Sequence, residues 1–299
     1  MTGLADLHRH LDGSLRPATL AELAAEHGRA VPPDLQFRAG MGLDAALARF
    51  AFTLSVLQAP AAVRRVAAEM VEDADAEGVT TLEVRFAPQL HRDAAPAAVV
   101  DAALDGLGGR AGLVLCGLYG EDPAVLATLV ELAGARPGVV GIDLAGGPAP
   151  GHTFGLQDYA PAFRRAAELG LGRTVHAGEG RPPAEIAVAI ERLGAQRIGH
   201  GTTLSDDPAV VDLVLRREVT IEACPTSNVH TGVIAAVAEH PLGRWLRLGV
   251  RVCVNADNTL LSAVTAAEEL RRVRAIPGVG DEAVEALVAY GHAAAFRRG

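Results

Sequence analysis

Four short runs of histidine and acidic residues constrain this chain more than any other feature, because each one follows a hydrophobic, strand-like stretch. The runs are His8-Arg9-His10, His176-Ala177-Gly178-Glu179, Gly199-His200-Gly201 and Asp257-Asn258. A parallel α/β barrel builds its site from residues at the C-terminal ends of several different strands. Polar residues that share this one structural position therefore favour a barrel with a site at one mouth.

Apolar runs alternate with helical patterns about eight times, which is the number of βα units in a (β/α)8 TIM-type barrel. The predicted strands are Leu4–His10, Thr81–Ala87, Leu113–Tyr119, Val139–Ala145, Thr174–Ala177, Arg197–Gly199, Thr220–Ala223 and Val250–Asn255. Asp122-Pro123 and Asp207-Pro208 each place a capping carboxylate before a first-turn proline, and the second of these helices is predicted to run to about Arg217. These alternating signals predict an α/β fold of βα units.

The length of the chain agrees with one such barrel. Barrels of this class reach 299 residues as one domain, so residues 1–299 are predicted to form a single barrel domain. Pro17–Arg65, after the first strand, holds more than one helix's worth of sequence and is predicted to form a helical lid over the mouth. Gly146–Leu156, rich in glycine and proline, is expected to be a mobile loop at the same face.

Composition argues against several classes of partner and location. A net charge of −9 disfavours a nucleic-acid partner, because phosphate backbones are bound by clustered lysine and arginine. Cys116, Cys224 and Cys253 lie far apart, two of them within strand-like runs, which is typical of reduced core cysteines. No run approaches the ~18 apolar residues of a membrane span, and the chain enters strand-like sequence by Leu4. We expect a cytoplasmic protein with no membrane partner.

The histidines indicate a metal site. Residues two apart in a strand face the same side, so His8 and His10 are predicted to point into the barrel while Arg9 points away. A His-x-His pair alone also occurs in satisfied polar cores. Adding His176 and Asp257 from two further strand ends gives three neutral nitrogen ligands and one carboxylate, a set that suits one Zn²⁺ and leaves a position for water.

Two further groups have alternative interpretations. Glu179 follows His176 in a His-Ala-Gly-Glu turn, where it is either a proton donor or the cap of a helix opened by Pro182-Pro183. His200, between two glycines, is either a core histidine or a base within reach of the metal-activated water. Each is ambiguous alone, and together with the predicted metal ligands they complete a hydrolytic site.

These motifs resemble, in the same order, those of the adenosine deaminase family of metal-dependent hydrolases. The resemblance covers residues 4 to about 270 and rests on His8-Arg9-His10-Leu11-Asp12-Gly13-Ser14, Asp143-Leu144-Ala145-Gly146, His176-Ala177-Gly178-Glu179, Gly199-His200-Gly201, Cys224-Pro225-Thr226-Ser227-Asn228 and Asn255-Ala256-Asp257-Asn258. Six motifs in one order are far more specific than any single one. The fold that the resemblance implies is the metal-dependent hydrolase barrel.

The resemblance also implies a role for each motif residue. The implied zinc ligands are His8, His10, His176 and Asp257; the implied catalytic residues are Glu179, His200 and Asp257; and the implied substrate-binding residues are His10, Asp12, Gly146 and Asn258. Glu179 would protonate purine N1, and His200 and Asp257 would act on the attacking water. Asp12 would hold the ribose hydroxyls, Gly146 would contact the purine edge, and the Asn258 amide would donate to N7. The chain lacks the P-C-x-x-C pair of the cytidine-deaminase type of zinc site.

The implied activity is deamination of adenosine, and of 2′-deoxyadenosine, to the inosine product and ammonia in purine salvage. Relatives act on adenine, adenylate, N6-methyl adenylate or aminodeoxyfutalosine, and Leu11-Asp12-Gly13 resembles the adenosine group. A nucleotide would need a cationic clamp, for which Arg181 is the one conspicuous candidate, the alternative being a solvated loop charge. Two other classes stay open: a metal-binding barrel without catalysis, and amide or ester hydrolysis by the same site.

Overall fold

The computed structural model describes residues 3–147 and 151–296, and its centre is a parallel sheet whose eight strands lie side by side in chain order. The strands are β1 (Leu4–His10), β2 (Val79–Phe86), β3 (Gly112–Leu118), β4 (Val139–Ala145), β5 (Gly172–Ala177), β6 (Arg197–His200), β7 (Thr220–Ala223) and β8 (Arg251–Val254). Three of the predicted strands, those of β1, β4 and β7, have the observed bounds, and the others differ by one or two residues at one or both ends.

The sheet closes where β8 meets β1. Asn255 Oδ1, just after β8, accepts a hydrogen bond of 2.8 Å from the backbone N–H of Leu7 on β1. Beyond it, the backbone of Asp257 accepts from His10 N at 2.8 Å and donates to His8 O at 2.9 Å. These contacts complete the barrel, and the predicted (β/α)8 TIM-type fold is confirmed.

Helices follow the strands and cover the outside of the barrel. They are α1 (Pro17–Glu26), α2 (Leu43–Val56), α3 (Pro60–Glu77), α4 (Pro96–Leu107), α5 (Pro123–Gly134), α6 (Ala160–Glu168), α7 (Ala184–Glu191), α8 (Pro208–Arg216), α9 (Pro225–His230), α10 (Leu242–Arg247), α11 (Ala266–Arg272) and α12 (Asp281–Ala294). The two predicted N-caps are present, because Asp122 accepts from Ala124 N and Asp207 from Ala209 N, each at 2.9 Å.

The extra sequence after β1 forms the predicted additional helices. Between β1 and β2 the chain builds α1, α2 and α3, where a single crossover helix would join the strands. One side of α2 lies over the barrel mouth and presents Leu43, Leu47, Phe50 and Leu54 to the cavity there. The predicted loop Gly146–Leu156 follows β4 at the same mouth, and its residues 148–150 lie outside the described residues.

All three cysteines are buried free thiols, in agreement with the prediction that they belong to the core. Within residues 3–147 and 151–296, no single helix is long and apolar enough to cross a membrane. The helices α2 and α3 pass that length and composition test only as a pair, with a bend of 116° between them.

Candidate active site

Three imidazole rings and one carboxylate meet at the C-terminal mouth of the barrel. His8 and His10 lie two apart on β1, His176 lies near the end of β5, and Asp257 follows β8. The Nε2 atoms of His10 and His176 are 3.3 Å apart. Asp257 Oδ1 lies 3.5 Å from His10 Nε2 and 3.7 Å from His8 Nε2. Two nitrogens at ~2.0–2.1 Å from a tetrahedral ion lie about 3.3 Å apart, so the ring spacing fits such an ion.

Carboxylates behind the rings set which nitrogen faces the centre. The Nδ1 of His8 donates to Glu222 Oε2 at 2.7 Å, and the Nδ1 of His176 donates to Asp143 Oδ2 at 3.0 Å. Each ring therefore turns its Nε2 lone pair toward the other rings, as metal-ligating histidines commonly do. His8 Nε2 is buried and has no hydrogen-bond partner among the described residues, an arrangement that costs about 1–3 kcal/mol unless a ligand uses the nitrogen.

A buried guanidinium joins the two supporting carboxylates. Arg85, inside β2, donates to Asp143 Oδ2 and to Glu222 Oε2, each at 2.8 Å, and to Leu7 O at 2.6 Å. Buried charges are tolerated when they are paired in this way. The floor of the site is therefore a connected ionic layer and not an apolar core.

Burial and these neighbours fix the charge of the rings. Burial lowers the pKa of His8 and of His10 well below the ordinary histidine value. Burial also lowers the pKa of His176, but the Asp143 carboxylate outweighs that effect and the net shift is upward. Burial acts to raise the pKa of Asp143, and His176 and Arg85 reverse this and hold it well below its usual range. His8 and His10 are thus neutral at neutral pH, the form that binds a metal.

Close packing of the rings requires glycine at position 199. A Cβ built on Gly199 would lie 3.0 Å from His8 Cε1 and 3.3 Å from the Cα of His176. The rings of His8 and His176 are themselves only 4.5 Å apart between centroids. The glycine before His200 therefore allows β6 to approach the candidate metal ligands.

Glu179 and His200 face each other beside these ligands. His200 Nε2 lies 3.7 Å from Glu179 Oε2, with both side chains largely buried. Glu179 does not cap the helix that follows Pro182-Pro183; its Oε1 instead accepts hydrogen bonds from Asn228 Nδ2 at 3.2 Å and Thr231 Oγ1 at 3.0 Å. The capping interpretation is therefore wrong, and Glu179 belongs to the cluster.

A cavity of about 630 Å³ opens above the cluster. Its lining brings together all the residues predicted to bind substrate, which are His10, Asp12, Gly146 and Asn258, with His176, Glu179, His200 and Asp257. Burial raises the pKa of Asp12 to about 7. Asp12 Oδ1 and Asn258 Oδ1 are buried without hydrogen-bond partners among the described residues, so the cavity offers polar groups that a ligand can pair.

Arg181 is engaged by the protein itself. Its Nε donates to Glu185 Oε2 at 2.7 Å, and its guanidinium lies 5.2 Å from the centroid of the Tyr119 ring. Arg181 lies on the loop before α7 with its side chain 31% exposed, so it is a partly solvated loop charge that Glu185 neutralises. A phosphate would have to compete with Glu185 for it.

Sequence reasoning gave no role to several residues that shape the site, namely Arg85, Asp143, Glu222, Asn228 and Thr231. A signal for three of them was present: Arg85, Asp143 and Glu222 are charges inside otherwise apolar predicted strands. Strands of parallel sheets are buried on both faces, so a charge there must have a partner in the barrel interior. Asn228 ends the motif Cys224-Pro225-Thr226-Ser227-Asn228, which supported the resemblance but gave it no role, and Thr231 carried no comparable signal.

The barrel carries an imidazole–carboxylate centre at its C-terminal mouth, with the acid Glu179 beside it. This combination defines the class of barrel hydrolases that can hold a metal ion. Candidate metal-holding groups in the described residues include His8, His10 and Asp257, and His8, His176 and His200. The comparisons with known proteins narrow the class. The family model described as adenosine deaminase matches residues 3–298, and the chain belongs to that family.

Individual relatives agree with the family match. The chain is 34% identical over 287 residues to an adenosine deaminase of Enterococcus faecalis, covering 90% of this chain and 84% of the relative. The solved structure of an adenine deaminase from Arthrobacter aurescens superimposes with a TM-score of 0.89 at 26% identity, covering 100% of this chain and 95% of the other. An N6-methyl-AMP deaminase from Arabidopsis thaliana gives 0.85 at 25% identity, covering 99% and 93%. The chain is therefore a hydrolytic deaminase.

Proposed function

We propose that this chain catalyses the zinc-dependent hydrolytic deamination of adenosine, and of 2′-deoxyadenosine, to the corresponding inosine and ammonia, as one barrel domain acting in purine salvage. The observation that carries the proposal is that Glu179 and His200 line one cavity together with His10, His176 and Asp257, with His8 Nε2 3.7 Å from Asp257 Oδ1. Such a cavity brings a proton donor and a water-activating centre to the same small molecule.

The donor set supports zinc as the resident metal. His8, His10, His176 and Asp257 would hold the ion, since three imidazole nitrogens and one carboxylate oxygen are ligands that zinc accepts readily. When bound, zinc supplies the Lewis acidity that makes water nucleophilic near neutral pH. The unpaired, buried Nε2 of His8 is the feature of this chain that fits the ion best.

The protein's own groups would move the protons. Glu179 gives a proton to N1 of the purine, which makes C6 electrophilic. His200 and Asp257 orient the attacking water, and His200 assists its deprotonation by stabilising the negative charge that develops on the oxygen. Water then adds to C6, and the amino group leaves as ammonia once it has received a proton. The reaction balances as adenosine plus water giving inosine plus ammonia.

The cavity supports a nucleoside as substrate. Among the described residues its lining contains the acids Asp12, Glu121, Glu179 and Asp257 and no arginine. A phosphate would therefore find no guanidinium or ammonium group in this lining, and Arg181 is held by Glu185. The volume of about 630 Å³ leaves room for a sugar beside the base, and the unpaired Asp12 Oδ1 is an acceptor for its hydroxyls. Gly146 and Asn258 would contact the base, and His10 would adjoin the sugar.

The test is to incubate zinc-assayed protein with adenosine, adenine and adenylate in parallel, following ammonia release and the ultraviolet change from aminopurine to oxopurine. We expect rapid turnover of adenosine, and a loss of at least about 10²-fold in kcat for Glu179→Gln, since general acid catalysis contributes about 10²–10⁴-fold. Glu191→Gln, an exposed glutamate on α7, is the matched control.

Each other outcome has a defined meaning. Preferred turnover of adenylate or adenine would overturn the choice of substrate and leave the deaminase class intact. Activity of Glu179→Gln close to that of the unsubstituted enzyme would overturn the role of Glu179, because amide or ester hydrolysis needs no proton donor aimed at a ring nitrogen. No turnover of any of the three purines by zinc-replete protein would overturn the adenosine proposal.

A further inference from the structure

Asn228 and Thr231 lie behind the pair of groups that would move protons in the proposed reaction. We propose that these two side chains are positioning residues, which together fix the oxygen of Glu179 that carries its proton and the ring nitrogen of His200 that carries its hydrogen. The inference rests on the proposed function, in which Glu179 and His200 act on the substrate and the water.

The Asn228 amide contacts both groups at once. Its side chain is fully buried, and its Nδ2 lies 3.2 Å from Glu179 Oε1 and 3.1 Å from His200 Nδ1. An amide nitrogen carries two hydrogens, so it can donate one to each neighbour. The opposite orientation of the amide would place its two hydrogens where Asn228 Oδ1 now lies buried without a hydrogen-bond partner among the described residues, and would leave both of them unpaired. The donor therefore faces Glu179 and His200.

The two carboxyl oxygens of Glu179 have different contacts. Oε1 accepts from Asn228 Nδ2 and also from Thr231 Oγ1, at 3.2 Å and 3.0 Å. An oxygen that accepts two hydrogen bonds is a poor place for the proton of a carboxylic acid, because the hydroxyl hydrogen would need the space and direction that the donors occupy. The proton of neutral Glu179 is thereby directed to Oε2, the oxygen 3.7 Å from His200 Nε2.

The same amide sets the tautomer of His200. A neutral imidazole carries one hydrogen, and a nitrogen that accepts a hydrogen bond must be the other one. Since Asn228 donates to Nδ1, the hydrogen of His200 resides on Nε2. His200 then presents an N–H beside Glu179 Oε2 and acts on the attacking oxygen as a hydrogen-bond donor.

A short, anchored helix delivers both positioning residues. Asn228 lies in α9 and Thr231 directly follows its last residue, and their backbone N–H groups donate to Cys224 O and Ser227 O at 3.0 Å and 2.9 Å. Side chains three apart on a helix share a face, so both reach Glu179. The first turn of α9 is held by Glu269 on α11, which accepts from the N–H of Thr226 at 2.6 Å.

Substitutions that keep shape but change hydrogen bonding separate this role from simple packing. Asn228→Asp is nearly isosteric with asparagine but carries at most one hydrogen in place of two, so it cannot donate to Glu179 and His200 at once, whereas Asn228→Ala removes both shape and donor. We expect kcat to fall at least 10-fold in both variants, with Asp as damaging as Ala or more so, and KM to change by less than about threefold, since orientation acts on chemistry more than on binding. If Asn228 only fills space, the Asp variant retains nearly full kcat, and that result would overturn the proposal.

Thr231 offers a second pair of variants that does not depend on Asn228. Thr231→Ser keeps the hydroxyl and should keep kcat, whereas Thr231→Val keeps the shape and should lower kcat several-fold. Zinc content and melting temperature are measured for all four variants. If the Asn228 variants fail to fold, equal kcat for the Ser and Val variants still contradicts the proposal.

A spectroscopic readout tests the tautomer without any turnover. In zinc-loaded, ¹⁵N-labelled protein, two-dimensional spectra of the imidazole rings should show His200 with its hydrogen on Nε2, and Asn228→Asp should move it to Nδ1. A hydrogen on Nδ1 in the unsubstituted protein would overturn the inference. Because this signal does not require deamination, an enzyme that fails the adenosine assay and retains the Nε2 tautomer would count against the proposed function alone.

Discussion

Asp143 supports the candidate metal site without being one of its predicted ligands, and replacing it with asparagine is a direct test of that support. The amide of Asp143→Asn can still accept from the Nδ1 of His176, which now lies 3.0 Å from Oδ2. It cannot supply the negative charge that makes the ring more basic and that Arg85 requires. Partners of this kind typically account for about 10–100-fold in metal affinity.

The expected losses of zinc affinity and folding stability in Asp143→Asn follow from the contacts that His176 and Arg85 keep. A 10–100-fold weaker affinity corresponds to about 1.4–2.8 kcal/mol of zinc binding free energy. An uncompensated buried charge costs about 3–5 kcal/mol of folding stability. Arg85 would keep Glu222 and the Leu7 carbonyl at 2.8 Å and 2.6 Å, so the loss of folding stability should lie below that range.

Competition with a chromogenic chelator measures zinc affinity, and thermal melting with and without zinc measures stability. Asp105→Asn, an exposed carboxylate paired with Arg64 on the surface, is the matched control and should change neither quantity. Zinc affinity of Asp143→Asn within twofold of the unsubstituted protein would refute the reasoning, because the carboxylate would then have no influence on the ring it contacts.

Three further perturbations test the cavity and the core. Gly13→Ala should lower kcat/KM by at least 10-fold, because its Cβ would lie 1.9 Å from Asn258 Oδ1; Gly280→Ala, where a Cβ meets no atom within 4 Å, is the control. Phe50→Ala should raise KM about 3–10-fold, since the ring lines the cavity 6.2 Å from the His10 ring. That change corresponds to about 0.6–1.4 kcal/mol, a part of the ~1.5–3 kcal/mol that full burial of such a side chain contributes. An unchanged KM would place the substrate elsewhere. Burial lowers the pKa of His240 to about 3. Below pH ~6.5 the unfolded chain therefore binds a proton that the folded chain excludes. As the pH is lowered, the free energy of unfolding falls by up to about 1.4 kcal/mol per pH unit. His240→Phe should reduce this slope in urea unfolding between pH 6.5 and 4, and equal slopes would contradict the assignment.

The fold was accessible from sequence because its signals are local. Apolar runs of strand length and capping carboxylates before prolines each act within a few residues, and the alternation of strand and helix signals indicates a barrel before any contact is known. The errors lie at strand ends, as for β2, which begins at Val79 and not Thr81. There the end of α3 leads through Gly78 directly into the strand, and hydrogen bonding across the sheet, not local preference, sets the boundary.

The candidate site was only partly accessible. Residues that meet at the mouth sit at predicted strand ends, so His8, His176 and His200 could be grouped by position alone. The residues that orient them come from other strands at other depths: Glu222 reaches His8 across 214 positions of sequence. No local sequence pattern predicts which buried charge faces which ring, because that depends on the register between the strands of the barrel.

Asp257 shows how closely the fold and the site depend on each other. It lies three residues beyond β8 with a positive φ of 60°, a conformation that costs a non-glycine residue free energy. Its backbone bonds on both sides to β1, accepting from His10 N and donating to His8 O. The bonds that close the barrel therefore also bring the fourth candidate ligand to the first two. Opening of the β8–β1 seam would separate the carboxylate from both imidazoles, so we expect bound zinc to slow amide hydrogen exchange at His10 and Asp257 more than at Leu115 in the middle of β3. If zinc slowed exchange equally at the β8–β1 seam and at Leu115, the ion would not join the first and last strands of the barrel.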